Sequence, residues 1–229
     1  MWFKSFLKRK RSVLFLCVVI IQFFAGCNIS HIPEQERKEI FNQYIKPIFP
    51  SEYYIQDNAF TKEEIETIQQ GFKNWEPIIR KLTATNFHFK YLGLADFPTD
   101  SGDQVHIVRR EAFDEPHEHK LAKAHHLLDE NGNWSSVGGD IVINEWYGFH
   151  TQDQWHMEGL REVFFSFCLE GIVTHEVGHL IGMQHSNHKE DIMYFKRIPV
   201  CDRKPTPHDE QVLGFVYLQY LRHLKFPED

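Results

Sequence analysis

The chain predicts an α+β fold, and three observations carry that reading. Short segments such as Phe87-His88-Phe89-Lys90-Tyr91 and Ile141-Val142-Ile143 have the composition and spacing of strands. Ile65, Ile68, Phe72 and Trp75 recur at helical spacing. One stretch, His175-Glu176-Val177-Gly178-His179-Leu180-Ile181-Gly182-Met183-Gln184-His185, joins a helix to a glycine turn and carries three histidines. There are no internal repeats and no low-complexity tracts.

Residues 1–26 are set apart from the fold. Lys4, Lys8, Arg9, Lys10 and Arg11 precede an apolar run from Val13 to Ala25, broken by Gln22. That run is shorter than the about 20 residues a membrane-spanning helix needs, and it fits a signal peptide. Phe24-Ala25-Gly26-Cys27 resembles a bacterial lipobox, with Phe24 where an aliphatic residue is usual. By that resemblance Cys27 becomes the lipidated first residue of the mature chain. An ordinary secreted protein and an uncleaved anchor are the alternatives. Residues 27–50, with Pro33, Pro47 and Pro50, read as the lipidated Cys and a tether that reaches at most roughly 75–80 Å. The tether holds one short helix from Glu34 to Tyr44. The remaining residues, 51–229, make one domain.

Removing the leader changes the charge. It holds 5 of the 25 Lys and Arg and none of the 32 Asp and Glu, so the mature chain has 20 basic against 32 acidic residues, a net of −12. That balance argues against nucleic-acid binding and against docking on anionic lipid through a basic patch. Membrane attachment would have to come from lipid chains, more than one for stability. With Cys27 lipidated, Cys168 and Cys201 remain as a pair for a disulfide, or Cys168 as a buried thiol in its apolar run.

Within the domain, Tyr53-Tyr54-Ile55 predicts a strand and Asp57-Asn58 a turn. Thr61 and Glu64 form a capping box for a helix from Lys62 to Arg80, with Pro77 kinking or fraying its last turn. Strands follow at Phe87–Tyr91, Val105–Val108, Leu121–Leu128 and Ile141–Ile143, the last preceded by Gly138-Gly139-Asp140. A long helix runs from near Glu158 to Gly182, with Leu160, Val163, Phe164, Phe167, Cys168 and Ile172 on its apolar side. A final helix starts at Thr206, with Asp209 and Glu210 in its first turn; Val212, Phe215, Val216 and the residues from Leu218 to Leu221 bury it.

The histidine segment carries the chemistry. His175 and His179 are four residues apart and share one helix face. Glu176 is rotated about 100° from His175, so it can lean over a metal without ligating it. Gly182 lets the chain leave the helix through a left-handed residue, and the turn returns His185 as a third ligand. Three protein ligands leave a fourth position for water, as in a catalytic zinc site. Because the chain has 15 His, a bare His-Glu-x-x-His would be weak evidence; the five fixed positions together are not.

In this order and spacing the segment resembles the signature of metzincin metalloproteases, His-Glu-x-x-His-x-x-Gly-x-x-His. Ser186 follows the third histidine and Met193 comes eight residues after it, within Ile192-Met193-Tyr194; this resembles the Met-turn of the matrixin branch. The resemblance covers roughly Ser51 to Leu224. It implies a metzincin-like catalytic domain: a twisted mixed β-sheet, a long zinc-binding helix, a Met-turn and a C-terminal helix. It also implies a zinc metalloendopeptidase, with His175, His179 and His185 as Zn2+ ligands, Glu176 as the general base toward a zinc-bound water, and Met193 as the apolar floor. Residues Tyr194 to Pro199 would line the pocket beside the scissile bond, beginning with an aromatic wall. An extended peptide substrate would add along a strand edge, Leu121 to Leu128.

The chain also departs from the matrixin pattern. Val142 and Lys123 stand where the family's structural zinc has histidines, so one catalytic zinc is expected. His117, His119, His125 and His126 are then rim histidines or an unrelated metal site. Asp140 is a candidate Ca2+ oxygen ligand or a turn residue. No Cys-bearing propeptide precedes the domain, so export itself would be the control. The expectation is a monomeric enzyme, exported and lipid-anchored to a bacterial membrane, in the cell envelope, facing periplasm or surface. The competing expectations are a non-catalytic zinc-containing binding lipoprotein and a metal-free surface protein.

Overall fold

The computed structural model describes residues 33–40, 42, 50–96, 106–114, 120–124, 139–151, 166–196, 201 and 203–225. Among these, β1 (Glu52–Gln56), β2 (Lys90–Ala95), β3 (Ile107–Glu111), β4 (Ala122–Ala124) and β5 (Ile141–Asn144) form one mixed sheet in the order β2-β1-β3-β5-β4. The first four positions in that order pair in parallel, and β4 closes one edge antiparallel to β5. A second, two-stranded sheet pairs β6 (Gly148–His150) in parallel with β7 (Ser166–Cys168).

The predicted strand at Phe87–Tyr91 starts too early. Its alternation reflects burial, not pairing: Phe89 lies 5.2 Å from the Phe72 ring and Phe87 4.9 Å from Phe89. The Phe89 N–H goes to the Glu76 carboxylate at 3.1 Å, and the ladder begins only at Lys90. Val105 and the 125–128 part of the predicted fourth strand lie outside the described residues. Val142 and Lys123, read from the sequence as departures from a histidine set, are direct cross-strand partners. Lys123 Nζ sits 4.9 Å over the Phe113 ring.

The helix expected over Lys62–Arg80 is two helices, α2 (Lys62–Lys73) and α3 (Glu76–Thr83), after the short α1 (Glu34–Ile40). Pro77 does not fray a last turn. It sits in the first turn of α3, where its missing N–H removes no intrahelical bond. The Thr61–Glu64 capping box is present in both directions. Trp75, fully buried at the junction, donates its indole N–H to the Thr174 carbonyl at 2.7 Å. The largest buried side chain among the described residues thus rests on the histidine-bearing helix.

That helix, α4 (Leu169–Leu180), is shorter than expected. Residues 166–168 are β7, because their backbone groups pair with β6; the predicted start at 158–165 lies outside the described residues. Cys168 is the N-cap of α4 and is bonded to Cys201, so the pair is a disulfide and not a free thiol. A bridge across 33 residues of sequence removes about 3–4 kcal/mol of unfolded-chain freedom.

In α5 (Pro207–Lys225), Asp209, Leu213, Val216 and Tyr217 face inward. Phe215, counted among the burying residues by its hydrophobicity, falls off that face and is 56% exposed. The side chains of residues 219–221 lie outside the described structure.

α2 and α4 meet at Gly71. A Cβ there would lie 2.6 Å from Val173 Cγ1 and 2.8 Å from Val173 Cβ. In an isolated helix Gly→Ala gains up to about 1 kcal/mol. Here overpacking against a β-branched residue reverses the sign, so Gly71→Ala is expected to lose about 1–3 kcal/mol in urea unfolding. A gain in stability would show that the helices are not in contact at this point.

Candidate metal centre

α4 delivers two of the three histidines. His175 is half-buried and His179 is 5% exposed, one turn apart on the same face. The helix then ends in a Schellman turn: Met183 N–H donates to Gly178 O at 2.9 Å and Gly182 N–H to His179 O at 2.8 Å, with Gly182 at φ 96°. This exit swings His185 back toward the helix. The ligand nitrogens of His175, His179 and His185 all lie within 4.8 Å of one another, so the three can hold one metal ion. Among the described residues no other group of three such side chains converges this way.

Backbone carbonyls set the ring orientations. His175 Nδ1 is 2.8 Å from Ile192 O and His179 Nδ1 is 2.8 Å from Met183 O. A carbonyl only accepts, so in both rings Nδ1 carries the proton and Nε2 presents its lone pair. His179 Nε2 and His185 Nε2 are 3.2 Å apart. Two nitrogens bound to one tetrahedral zinc sit about 3.3 Å apart, so these residues fit the ion.

Glu176 is 7% exposed and stands beside the triad without joining it. Burial pushes its carboxyl up to about 8, while the positive charge of Lys120 works against that rise. Burial and then Lys120 hold the His185 imidazole below its ordinary value, favouring the neutral, ligating form.

Behind the triad, Met193 is fully buried. A Cβ on Gly178 would come within 2.2 Å of Met193 Sδ and 3.0 Å of Trp75 Cζ2. A glycine between the two helical histidines therefore makes room for the methionine. The Met-turn is held from α5: Asp209 accepts the Ile192 N–H at 3.0 Å and the Met193 N–H at 3.4 Å, while capping its own helix through Thr206. From the sequence, Asp209 has only a dipole role. Asp191, 2% exposed, accepts from Ser186 Oγ, from Thr206 Oγ1 at 2.8 Å and from His208 Nδ1 at 2.6 Å. It ties the residue after the third histidine to the start of α5. Tyr194 is half-buried and Phe195 49% exposed, their rings 4.9 Å apart; residues 197–199 lie outside the described structure.

Asp140 serves the fold. Its carboxylate takes the Ile107 N–H at 3.2 Å and pairs with the buried guanidinium of Arg109, which also lies 3.3 Å from Glu111. The described partners of that carboxylate are thus a backbone N–H and a guanidinium. His117, His119, His125 and His126 lie outside the described residues.

A helix with two histidines, a glycine turn, a third histidine and a buried methionine turn behind them define a metzincin-type centre. The family is narrower. The family model described as Matrixin matches residues 51–214, and the chain belongs to that family. Metalloendoproteinase 2-MMP of Arabidopsis thaliana is 26% identical over 168 residues, which cover 70% of this chain and 38% of the plant protein. The chain thus matches less than half the length of that relative.

Burial raises the Asp191 pKa, but hydrogen bonds from Ser186, His208 and Thr206, with the His208 charge, outweigh it; the folded value is depressed. A depressed carboxylate contributes stability above its unfolded value of about 3.9 and loses it as pH falls through the folded value. In chelator, wild type should therefore exceed Asp191→Asn in unfolding free energy at pH 5, and the gap should shrink by pH 3. An equal gap at both pH values would show that the Asp191 charge does not act this way.

Proposed function

We propose that the chain is a zinc endopeptidase with His175, His179 and His185 as metal ligands and Glu176 as general base. The observation that carries this reading is the convergence of three imidazoles beside one buried carboxylate. Zinc held there supplies Lewis acidity, polarising a peptide carbonyl and lowering the pKa of water. Ile192 O and Met183 O keep two of the rings in the tautomer that ligates. Glu176 accepts a proton from the attacking water and passes it to the leaving amine. Burial excludes competing solvent around its carboxyl, and Lys120 favours the charged form that accepts the proton.

The substrate in this reading is an extended peptide added along β4, the antiparallel edge of the five-stranded sheet. Main-chain hydrogen bonds give affinity there and side-chain pockets give choice. The aromatic pair Tyr194 and Phe195 begins the wall beside the scissile bond. The domain works as a monomer, exported and held by a lipidated Cys27 and the tether to residue 50 on a bacterial envelope membrane. The Cys168–Cys201 disulfide supports an oxidising compartment. No helix among the described residues is long and apolar enough to cross a membrane.

Glu176→Gln should keep its zinc by metal analysis and lose casein hydrolysis by about a hundredfold or more. Wild type should lose activity to a chelator and regain it with zinc. A Glu176→Gln protein that cleaves casein as fast as wild type overturns the mechanism. A protein that holds zinc but cleaves no peptide at all is instead the binding lipoprotein. Activity should also fall toward acid, first as Glu176, pushed up to about 8 by burial, loses the charged form that accepts the proton, and then below about pH 6, because protonated imidazole cannot ligate. Burial, and then Lys120, keep the His185 ring neutral further into acid. A flat profile down to pH 4.5 counts against histidine-held zinc.

A further inference from the structure

Lys120 immediately precedes β4 and is exposed. Side chains along β4 alternate. Ala122 belongs to the core that α4 completes, whereas Lys123 turns to the other face, over Phe113. Lys120 stands two residues before Ala122, at the end of the strand that packs on α4, where the pairing with β5 still holds Leu121 O to the Asn144 N–H.

The backbone at this point is fixed. Asn144, fully buried, donates its side-chain N–H to Lys120 O at 2.8 Å and its backbone N–H to Leu121 O at 2.9 Å. The ammonium is near enough to act on both Glu176 and His185. Among the described residues no carboxylate forms an ion pair with it. In a chain with more acidic than basic residues, a cation so placed at the cleft rim is available to a ligand.

We propose that Lys120 determines specificity, drawing an acidic side chain of the peptide substrate to the β4 rim of the cleft beside the scissile bond. The inference rests on the peptidase reading and adds a substrate class to it. A peptide laid along β4 turns alternate side chains toward α4, so one position on each side of the scissile bond passes close to Lys120. A partly exposed charge pair at contact distance is worth about a tenfold preference. It weakens as salt screens it.

The test is a set of peptides sharing one cleavable core, with Ala, Glu or Lys placed in turn at each position flanking the bond. kcat/KM is measured for wild type, Lys120→Ala, Lys120→Glu and Lys120→Arg, each checked for zinc content and circular dichroism. Wild type should prefer Glu over Lys about tenfold at one position, less in 0.5 M NaCl. Lys120→Ala should flatten the preference, Lys120→Glu invert it and Lys120→Arg keep it. An unchanged Glu-to-Lys ratio at every position in a zinc-loaded, active Lys120→Glu overturns the proposal.

A second arm separates this inference from the reading beneath it. Binding of the same peptides to Glu176→Gln is followed by fluorescence anisotropy, with and without Lys120→Glu. Charge-selective binding that Lys120→Glu inverts, with no turnover by wild type, sinks the peptidase reading and leaves Lys120 its role. Turnover without charge selectivity does the reverse. Binding without charge selectivity, or no peptide binding by any form, overturns the Lys120 proposal.

Discussion

The centre depends on two hydrogen bonds that never touch a metal. His175 Nδ1 to Ile192 O and His179 Nδ1 to Met183 O decide which nitrogen of each ring faces inward. An imidazole has two ring nitrogens, and only a fixed partner on one makes the other a dependable ligand. The partners here are backbone carbonyls, so they stay in place only if the chain segments that carry them do. Much of the architecture serves those two segments. The Schellman turn positions Met183, and the Met-turn positions Ile192. Asp209 clamps the second by taking both of its leading N–H groups, and Asp191 fastens Ser186 to the start of α5.

Close approach is the second constraint, and it follows from the first. For the Met-turn to reach the triad from behind, α4 must be thin on that side, and Gly178 makes it so. Its cost of up to about 1 kcal/mol in helix propensity is set against contact with Met193 and Trp75. Gly71 plays the same part where α2 crosses Val173. Trp75 and Asn74, at the break between α2 and α3, then bond to Thr174 and Glu170 on α4. The helix break is thus itself a contact surface for α4.

The parts that were legible in the sequence are local ones. His175, Glu176, His179, Gly182 and His185 could be read because helical periodicity and one left-handed glycine fix their relative places over a few turns. The capping box at Thr61 and the strand at Ile141 are local for the same reason. What could not be read depends on partners distant in the chain. Phe87 and Phe89 alternate like a strand, but the Phe89 ring packs on Phe72, the Phe87 ring packs on Phe89, and the Phe89 N–H belongs to Glu76. Residues 166–168 have a helical apolar pattern, yet β6 claims their backbone. Lys120 gave no sequence signal, since its action on Glu176 comes from the packing of β4 on α4. Gly178 did carry one, a poor helix former between two histidines of a helix.

Two positions show how this chain handles charge away from the triad. At Asp140 a buried carboxylate meets Arg109, and at Lys123 an ammonium lies over Phe113 opposite Val142. A guanidinium stays charged across the physiological pH range and is built into the strand beside its partner. The pairing of β3 with β5 therefore draws on charges the chain itself supplies. The covalent link at Cys168 acts in the same direction, tying the start of α4 to the segment before α5. Metal dependence is then concentrated in the three imidazoles. Losing an ion held there would leave the strand pairing and the Asp209 clamp on the Met-turn in place, because among the described residues the hydrogen bonds of that pairing and that clamp do not pass through the triad.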